Sequence, residues 1–478
     1  MTGTERLTAA DSWFLYLEGP NQHLHVTGLM LLDPSSSPDE LTFEKFRHYL
    51  LARLDHLPPL RQRLVEVPLG IDHPAVVEDP DLDVDDHLVH RSFDGQPEHH
   101  FRTFLDEFCS TPLDRSKPLW EMAWADGLAD GGTALVAKLH HTMIDGITGV
   151  GIMADLLDLT ADAPAERGEA TKPAPSQPLG VPTTTETVLE AAADRISDPM
   201  RPLRAARRTG SSILRTADAF VTGRGAGEEH AAPFGAPRTR INASLTPRRA
   251  VAFGSTPLRE VKELKRSFGV TVNDVVLASV ATGLRGFLLE HHELPDEPLV
   301  AAVPVSVHNE GGDTSTNQVS NMFVHLPVQL DDPVERLKAV QRSASGAKSI
   351  QGAMGPEMLG DLVDLIPPVV LSFGMSAWTR AGIADRTPPA HTLIVSNVPG
   401  PDMPMYMAGG EVVGLYPFGP LMEGSGLNVT VLSHNGRLDV GLIACPDLVP
   451  GLDGLLADIL DAFGELEAAS AEHADAES

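Results

Sequence analysis

The stretch Leu135-Val-Ala-Lys-Leu-His140-His141-Thr-Met-Ile-Asp145-Gly146 constrains this chain more than any other. Its apolar first half reads as a strand that delivers two adjacent histidines at its end. A side chain at the end of a strand rests on a rigid support facing a cleft, where a general base belongs. Gly146, directly after Asp145, permits a tight turn or a close backbone approach that a Cβ would block. Ile147 to Leu159 then reads as a Gly-punctuated helix. His140 and His141 are also compatible with buried, hydrogen-bonded core residues. Two other pairs, His99-His100 and His291-His292, lie in polar, turn-rich surroundings without the xxxDG that follows here.

Around this stretch the pattern of elements is readable. His25 to Leu32 reads as a strand ended by Asp33-Pro34, with His23 and His25 alternating onto one face. Helical spacing runs from Leu41 to Leu54 and from Phe101 to Phe108. Pro118-Leu119-Trp120 opens a strand to Trp124, and a two-residue Gly131-Gly132 turn predicts a hairpin with the histidine strand. Ala, Pro, Thr and charge dominate residues 161–236, which read as a linker, partly helical or disordered. Asn273-Asp274 reads as the cap of a long apolar helix from Val275 to Leu289. Strands follow at Leu299–Val307, Met322–Val328 and His391–Asn397, and a hairpin turns at His434-Asn435-Gly436. A terminal helix, Leu452 to Phe463, precedes a loose acidic tail. The segment Leu362 to Trp378 is the most lipid-like, but Asp364 and Pro367-Pro368 exclude a straight transmembrane helix. It reads as an interfacial or substrate-lining segment, or as a buried core helix.

Bulk properties exclude whole classes of function. With 36 basic against 66 acidic residues and a net charge of −30 over 478 residues, nucleic acid is not a partner. The same charge opposes electrostatic adhesion to an anionic membrane, so contact with lipid would be apolar. Cys109 and Cys445 form neither a disulfide framework nor a CxxC metal site, which fits a reducing compartment. The acidic run Glu78 to Asp86 lacks the spacing of a calcium loop and reads as a solvated edge. No leader-like N-terminal pattern and no long uncharged apolar run is present, and mean hydropathy is −0.06. Neither a GxSxG elbow nor a phosphate-binding loop occurs.

HHTMIDG resembles the active-site motif of the bacterial wax ester synthase/diacylglycerol acyltransferase family, a branch of the chloramphenicol-acetyltransferase-like CoA-dependent acyltransferases. Five further blocks are similar and fall in the family's order. They are Leu7 to Glu18 with His23-Leu-His25-Val26, Pro118-Leu119-Trp120, Thr271-Val-Asn273-Asp274, Val303-Pro304-Val305-Ser306, and Ser396-Asn397-Val398-Pro399-Gly400-Pro401. The resemblance implies an α/β fold of two domains with mixed sheets flanked by helices, the active site lying in the cleft between them. The domains would span 1–160 and 237–465, joined by the linker and followed by the tail at 466–478.

The implied donor is long-chain acyl-CoA as a co-substrate, with no tightly bound cofactor and no metal. The implied acceptor is diacylglycerol or a long-chain alcohol, and the implied place is cytoplasmic, peripheral to the inner membrane or lipid bodies through apolar contact. His141, aligned with the HxxxDG histidine, is the expected base, since a neutral imidazole can accept the hydroxyl proton as the alcohol attacks. His140 is expected to support it, and Asp145 to fix the loop as a structural ion-pair residue. Pro118, Leu119 and Trp120 would shape the cleft. Asn273 and Asp274 would lie beside it, with Asn273 a candidate oxyanion donor. Competing readings are the same chemistry on a polyketide alcohol or an amine, and a non-catalytic acyl-lipid-binding homologue.

Overall fold

The computed structural model describes residues 5–68, 72–129, 131–143, 152, 155–164, 231–306, 319–351 and 368–477. Its first half runs β1 (Glu5–Arg6), α1 (Ala9–Leu17), β2 (His25–Asp33), α2 (Phe43–Arg53), α3 (Pro58–Arg61), β3 (Gln62–Val65), β4 (Ala75–Glu78), β5 (Leu88–Ser92), α4 (Glu98–Ser110), β6 (Trp120–Asp126) and β7 (Thr133–His140). Its second half runs β8 (Ala250–Pro257), α5 (Leu258–Phe268), α6 (Val272–Glu290), β9 (Leu299–Ser306), β10 (Val319–Leu326), α7 (Pro333–Gln351) and α8 (Pro368–Arg380). The chain closes with β11 (Leu393–Val398), β12 (Tyr406–Met407), β13 (Gly410–Phe418), β14 (Leu427–His434), β15 (Arg437–Ala444) and α9 (Leu452–Glu477).

Two mixed six-stranded sheets carry the fold, in the orders β12-β13-β2-β7-β6-β5 and β10-β9-β11-β14-β15-β8. In the first, β5 and β6 are parallel and the other pairs antiparallel. In the second, β11 runs parallel to both β9 and β14. Every residue of β7 is buried, as a strand between two neighbours and between two layers must be. β6 and β7 form the expected hairpin, pairing Ala125 with Ala134. The connection spans residues 127–132 instead of two, because Gly127 and Gly131 both take positive φ within a wider loop.

The two halves are interleaved. β13 comes from the second half of the sequence yet pairs with β2 across seven residues of that strand's length, from Asp33 to Thr27. It also touches the second sheet: Asp439 on β15 accepts the Leu415 N–H at 2.8 Å. A Cβ on Gly441 would meet the Pro417 carbonyl oxygen at 2.2 Å, so the approach of β15 to β13 requires a glycine there. One apolar cluster accordingly joins Leu29, Phe108 and Val136 to Val251, Phe418 and Ile443.

Among the helix boundaries that differ from the sequence expectation, those of α6 and α9 have a clear physical reason. α6 starts at Val272 because Thr271 is its cap, accepting the Asp274 N–H at 3.2 Å while the Asp274 carboxylate accepts the Thr271 N–H at 2.8 Å. Asn273-Asp274 therefore lies inside the first turn. α9 continues past Phe463 to Glu477, since Ala and Glu sustain a helix once its apolar face has docked. α6 is the one described helix long and apolar enough to cross a membrane, and 67% of its most apolar window is buried in the core. Residues 362–367 of the lipid-like segment, and most of the linker, lie outside the described residues.

Candidate active site

β7 ends at His140, and His141 to Met143 turn as a single 3₁₀ turn. The strands on either side hold this corner. The His140 N–H donates to the Leu119 carbonyl at 3.0 Å, and the His141 N–H to the Leu24 carbonyl at 2.8 Å. Leu119 thus touches the histidine corner through its backbone, next to Pro118. Trp120 points elsewhere: its ring is buried in the core, stacked at 4.4 Å on His87, with its indole N–H on the Leu60 carbonyl at 2.7 Å. Leu119 of that block lies at the corner, and Trp120 anchors the strand.

α1 supplies the other wall. The Phe14 ring stacks on the His141 imidazole with centroids 4.0 Å apart. The Thr142 hydroxyl donates to the Asp11 carbonyl at 2.6 Å. Burial pushes His141 down to about 4, its own carbonyl partly opposing the drop and His140 adding to it. The imidazole is therefore neutral at physiological pH, the state a general base requires. Its Nδ1 is buried without a hydrogen-bond partner among the described residues.

His140 is 1% exposed. Its Nδ1 accepts the Thr142 N–H at 3.1 Å, which places the ring proton on Nε2. Nε2 faces Glu18 Oε1 at 3.6 Å. Burial alone would raise the Glu18 carboxyl, but His140 and the Arg115 guanidinium outweigh it and hold the group at about 2. Arg115 donates through Nε to Glu18 Oε2 at 2.7 Å and through Nη2 to the Leu15 carbonyl at 2.9 Å. Neither Glu18 nor Arg115 was singled out in the sequence, although Glu18 ends the opening block. Glu18 also borders two recesses. One, of about 150 Å³, is walled by Leu17 to Asn21 and by Met375, Thr379 and Arg380 of α8. The other, more open and about 360 Å³, reaches His23, Pro112, Leu113 and Arg115.

Beneath the corner lies a buried polar layer. Lys138 is fully buried, its ammonium on the carbonyls of Phe108 and Thr111 at 2.9 Å each and on Glu121 at 2.8 Å. His25, opposite His140 in the sheet register, bonds the Cys109 carbonyl at 3.0 Å and is kept neutral by burial. Lys138 and His25 together satisfy carbonyls at the C-terminal end of α4. His23 stacks on His25 at 5.7 Å.

Asp145 and Gly146 lie outside the described residues. Asp274 is committed to the α6 capping box, and Asn273 shows no bond to the histidine corner among the described residues. His99 and His100 sit in the first turn of α4, not in a turn-rich loop, and His291-His292 follows α6. No group of three His, Cys, Asp or Glu suited to a metal occurs among the described residues.

Residues 7–276 match the catalytic domain of the wax ester synthase/diacylglycerol acyltransferase family, and residues 315–467 match the WS/DGAT C-terminal domain. A Mycobacterium tuberculosis protein bearing the provisional name diacylglycerol O-acyltransferase is 37% identical over 468 residues, spanning 97% of this chain and 90% of its own length. The solved wax ester synthase/diacylglycerol acyltransferase of Marinobacter aquaeolei VT8 matches with a TM-score of 0.67 at 25% identity, covering 98% of this chain and 100% of that one. The starter condensation domain of rhizomide synthetase, solved in complex with C8-CoA and Leu-SNAC, shares the fold. Its TM-score is 0.54 at 12% identity, covering 98% of this chain and 95% of that one. The two-domain, mixed-sheet architecture implied by the sequence blocks is the one these structures share.

Proposed function

This chain belongs to the wax ester synthase/diacylglycerol acyltransferase family and is an acyltransferase, and from that premise we propose that it esterifies diacylglycerol or a long-chain alcohol with the acyl group of a long-chain acyl-CoA. The observation that carries the reading is His141: a buried, neutral imidazole at the end of a fixed strand, stacked on Phe14. In the proposed step His141 takes the acceptor's hydroxyl proton as the oxygen bonds to the thioester carbon. The tetrahedral adduct then collapses, the C–S bond breaks, and the proton passes to the departing CoA thiolate. Products are ester and free CoA, with no acyl-enzyme. Burial pushes the Cys109 thiol up to about 12, which makes it a poor nucleophile.

Asp145 and Gly146 shape the loop beyond His141 in this reading. We also infer that the enzyme is cytoplasmic and attaches peripherally to the inner membrane or lipid bodies. Support comes from α8, where Val370, Phe373 and Trp378 expose 54%, 71% and 36% of their surface along one side of the helix.

Thiol release from palmitoyl-CoA, measured with hexadecanol and with diacylglycerol, tests the chemistry. Acceptor-dependent release in the wild type, abolished in a folded His141→Ala variant, is expected. The better acceptor names the product. Equal rates in both proteins would remove His141 as the base.

A further inference from the structure

α1 and its C-cap residue Glu18 meet the histidine corner at three points, and Leu15 holds the neighbouring Arg115. The Asp11 carbonyl holds the Thr142 hydroxyl, the Phe14 ring stacks on His141, the Leu15 carbonyl holds Arg115, and the Glu18 carboxylate faces His140. These residues stand at i, i+3, i+4 and i+7, the spacing of a single helical face. The same face therefore contacts the proposed base, the residue before it and the residue after it.

Within this frame the two nitrogens of His140 differ: Nε2 makes no hydrogen bond among the described residues and lies 3.6 Å from Glu18 Oε1. Nδ1 accepts from the backbone N–H of Thr142, across the turn that contains His141, so the orientation of the His140 ring shapes the turn that carries the base. The Nε2 proton then calls for an acceptor, because leaving a buried donor unpaired is destabilising. Other charged groups around this ring are occupied. Lys138, on the same strand, is spent on Glu121 and two carbonyls, and His25 of β2 is neutral and holds the Cys109 carbonyl. Glu18 is the one carboxylate within ion-pair distance of His140 among the described residues. It is itself fixed: Oε2 is gripped by the Arg115 fork, which leaves Oε1 toward the ring.

We infer that Glu18, clamped by Arg115, is a positioning residue that sets the ring of His140 and, through the Thr142 N–H, the turn that aims His141. The inference rests on the reading of His141 as the base. Arg115 fixes the carboxylate, the carboxylate fixes the ring and tautomer of His140, and His140 fixes the corner. Glu18 itself makes no bond in the reaction.

Steady-state kinetics on the full-length protein test this, varying palmitoyl-CoA and the acceptor separately. Glu18→Gln is expected to lower kcat roughly 10- to 100-fold, the cost of misaiming a base, with both KM values within about twofold. Glu18→Asp should recover part of the loss. Arg115→Met should lower kcat similarly, and Arg115→Met combined with Glu18→Gln should be scarcely worse than either alone, since one clamp is removed either way. The acid limb of the pH profile should also move in Glu18→Gln, because an anion beside the histidine pair has gone. A raised KM with kcat intact would make Glu18 a substrate contact and overturn the inference, as would wild-type kinetics in Glu18→Gln. If Glu18→Gln fails to fold, Arg115→Met gives the same reading with the carboxylate retained. An inert His141→Ala beside wild-type-like Glu18→Gln would overturn this inference alone, whereas full turnover in His141→Ala would overturn the assignment of the base.

Discussion

The low proton affinity of His141 gives a pH dependence unlike that of an ordinary histidine. Burial takes the group from 6.5 to about 4, a difference of about 3 kcal/mol between its protonation states. At pH 5 an unperturbed imidazole would be only about 3% neutral, whereas His141 would be about 90% neutral. Acceptor-dependent kcat/KM should therefore hold nearly level from pH 7.5 down to 5, where an ordinary base would have lost about 30-fold. The assay is thiol release over this range, with tryptophan fluorescence recorded on the same samples to show that the protein stays folded. That control matters because stability also changes. His141 and His391 are both lowered to about 4, so below pH 6.5 the unfolded chain binds protons that the folded one refuses, and stability falls as pH drops. Asp106, raised by burial to about 6, acts in the opposite sense, favouring the fold as pH falls from 6 toward 3.8. An acid limb centred near 6.5 in folded protein would refute the argument, because the base would then be solvated.

Lys138→Met removes a fully buried ammonium and leaves Glu121 and the carbonyls of Phe108 and Thr111 without it. Chemical denaturation should show a loss of about 3 kcal/mol, and an unchanged midpoint would show the layer to be water-filled. Phe373→Asp removes the most exposed large apolar side chain of α8. Flotation with vesicles containing diacylglycerol should weaken about 30-fold, equivalent to about 2 kcal/mol of lost apolar burial, with turnover of a dispersed short-chain alcohol unaffected. Undiminished flotation would move the lipid contact to another surface.

Local chemistry made several elements legible. The apolar run from Leu135 to Leu139 is a fully buried strand, and its single charge, Lys138, is tolerated because three acceptors surround it. The hairpin at Asn435-Gly436 follows from two residues that accept positive φ, 43° and 76°. The start of α6 was misjudged because Asn273 and Asp274 are both capping types, whereas the geometry uses Thr271 with Asp274 three residues on. β13 was not legible. Gly414 and Pro417 punctuate it, a bulge between Val412 and Gly414 breaks its alternation, and its partner β2 lies nearly 400 residues away in sequence.

The site divides along the same line. His140 and His141 end one apolar run, so the sequence itself places them side by side, whereas Asp145 and Gly146 of the same stretch lie outside the described residues. Glu18 and Arg115 are 97 residues apart and have no pattern beyond being an acid and a base. Their connection exists only once α1 lies across the end of β7. Inspection of α1 as a helix could have narrowed the search. Its apolar residues Leu15 and Leu17 are buried and pack inward, so a carboxylate at Glu18, immediately after them, must either reach water or find a cation. It finds Arg115 on one oxygen and faces a histidine with the other. A carboxylate with only a structural duty could close its ion pair anywhere on the surface. This one does so with its side chain 12% exposed, on the helical face that also stacks Phe14 against His141. Desolvating a charge at that position is costly, and the orientation of His140 is the benefit that the geometry offers in return.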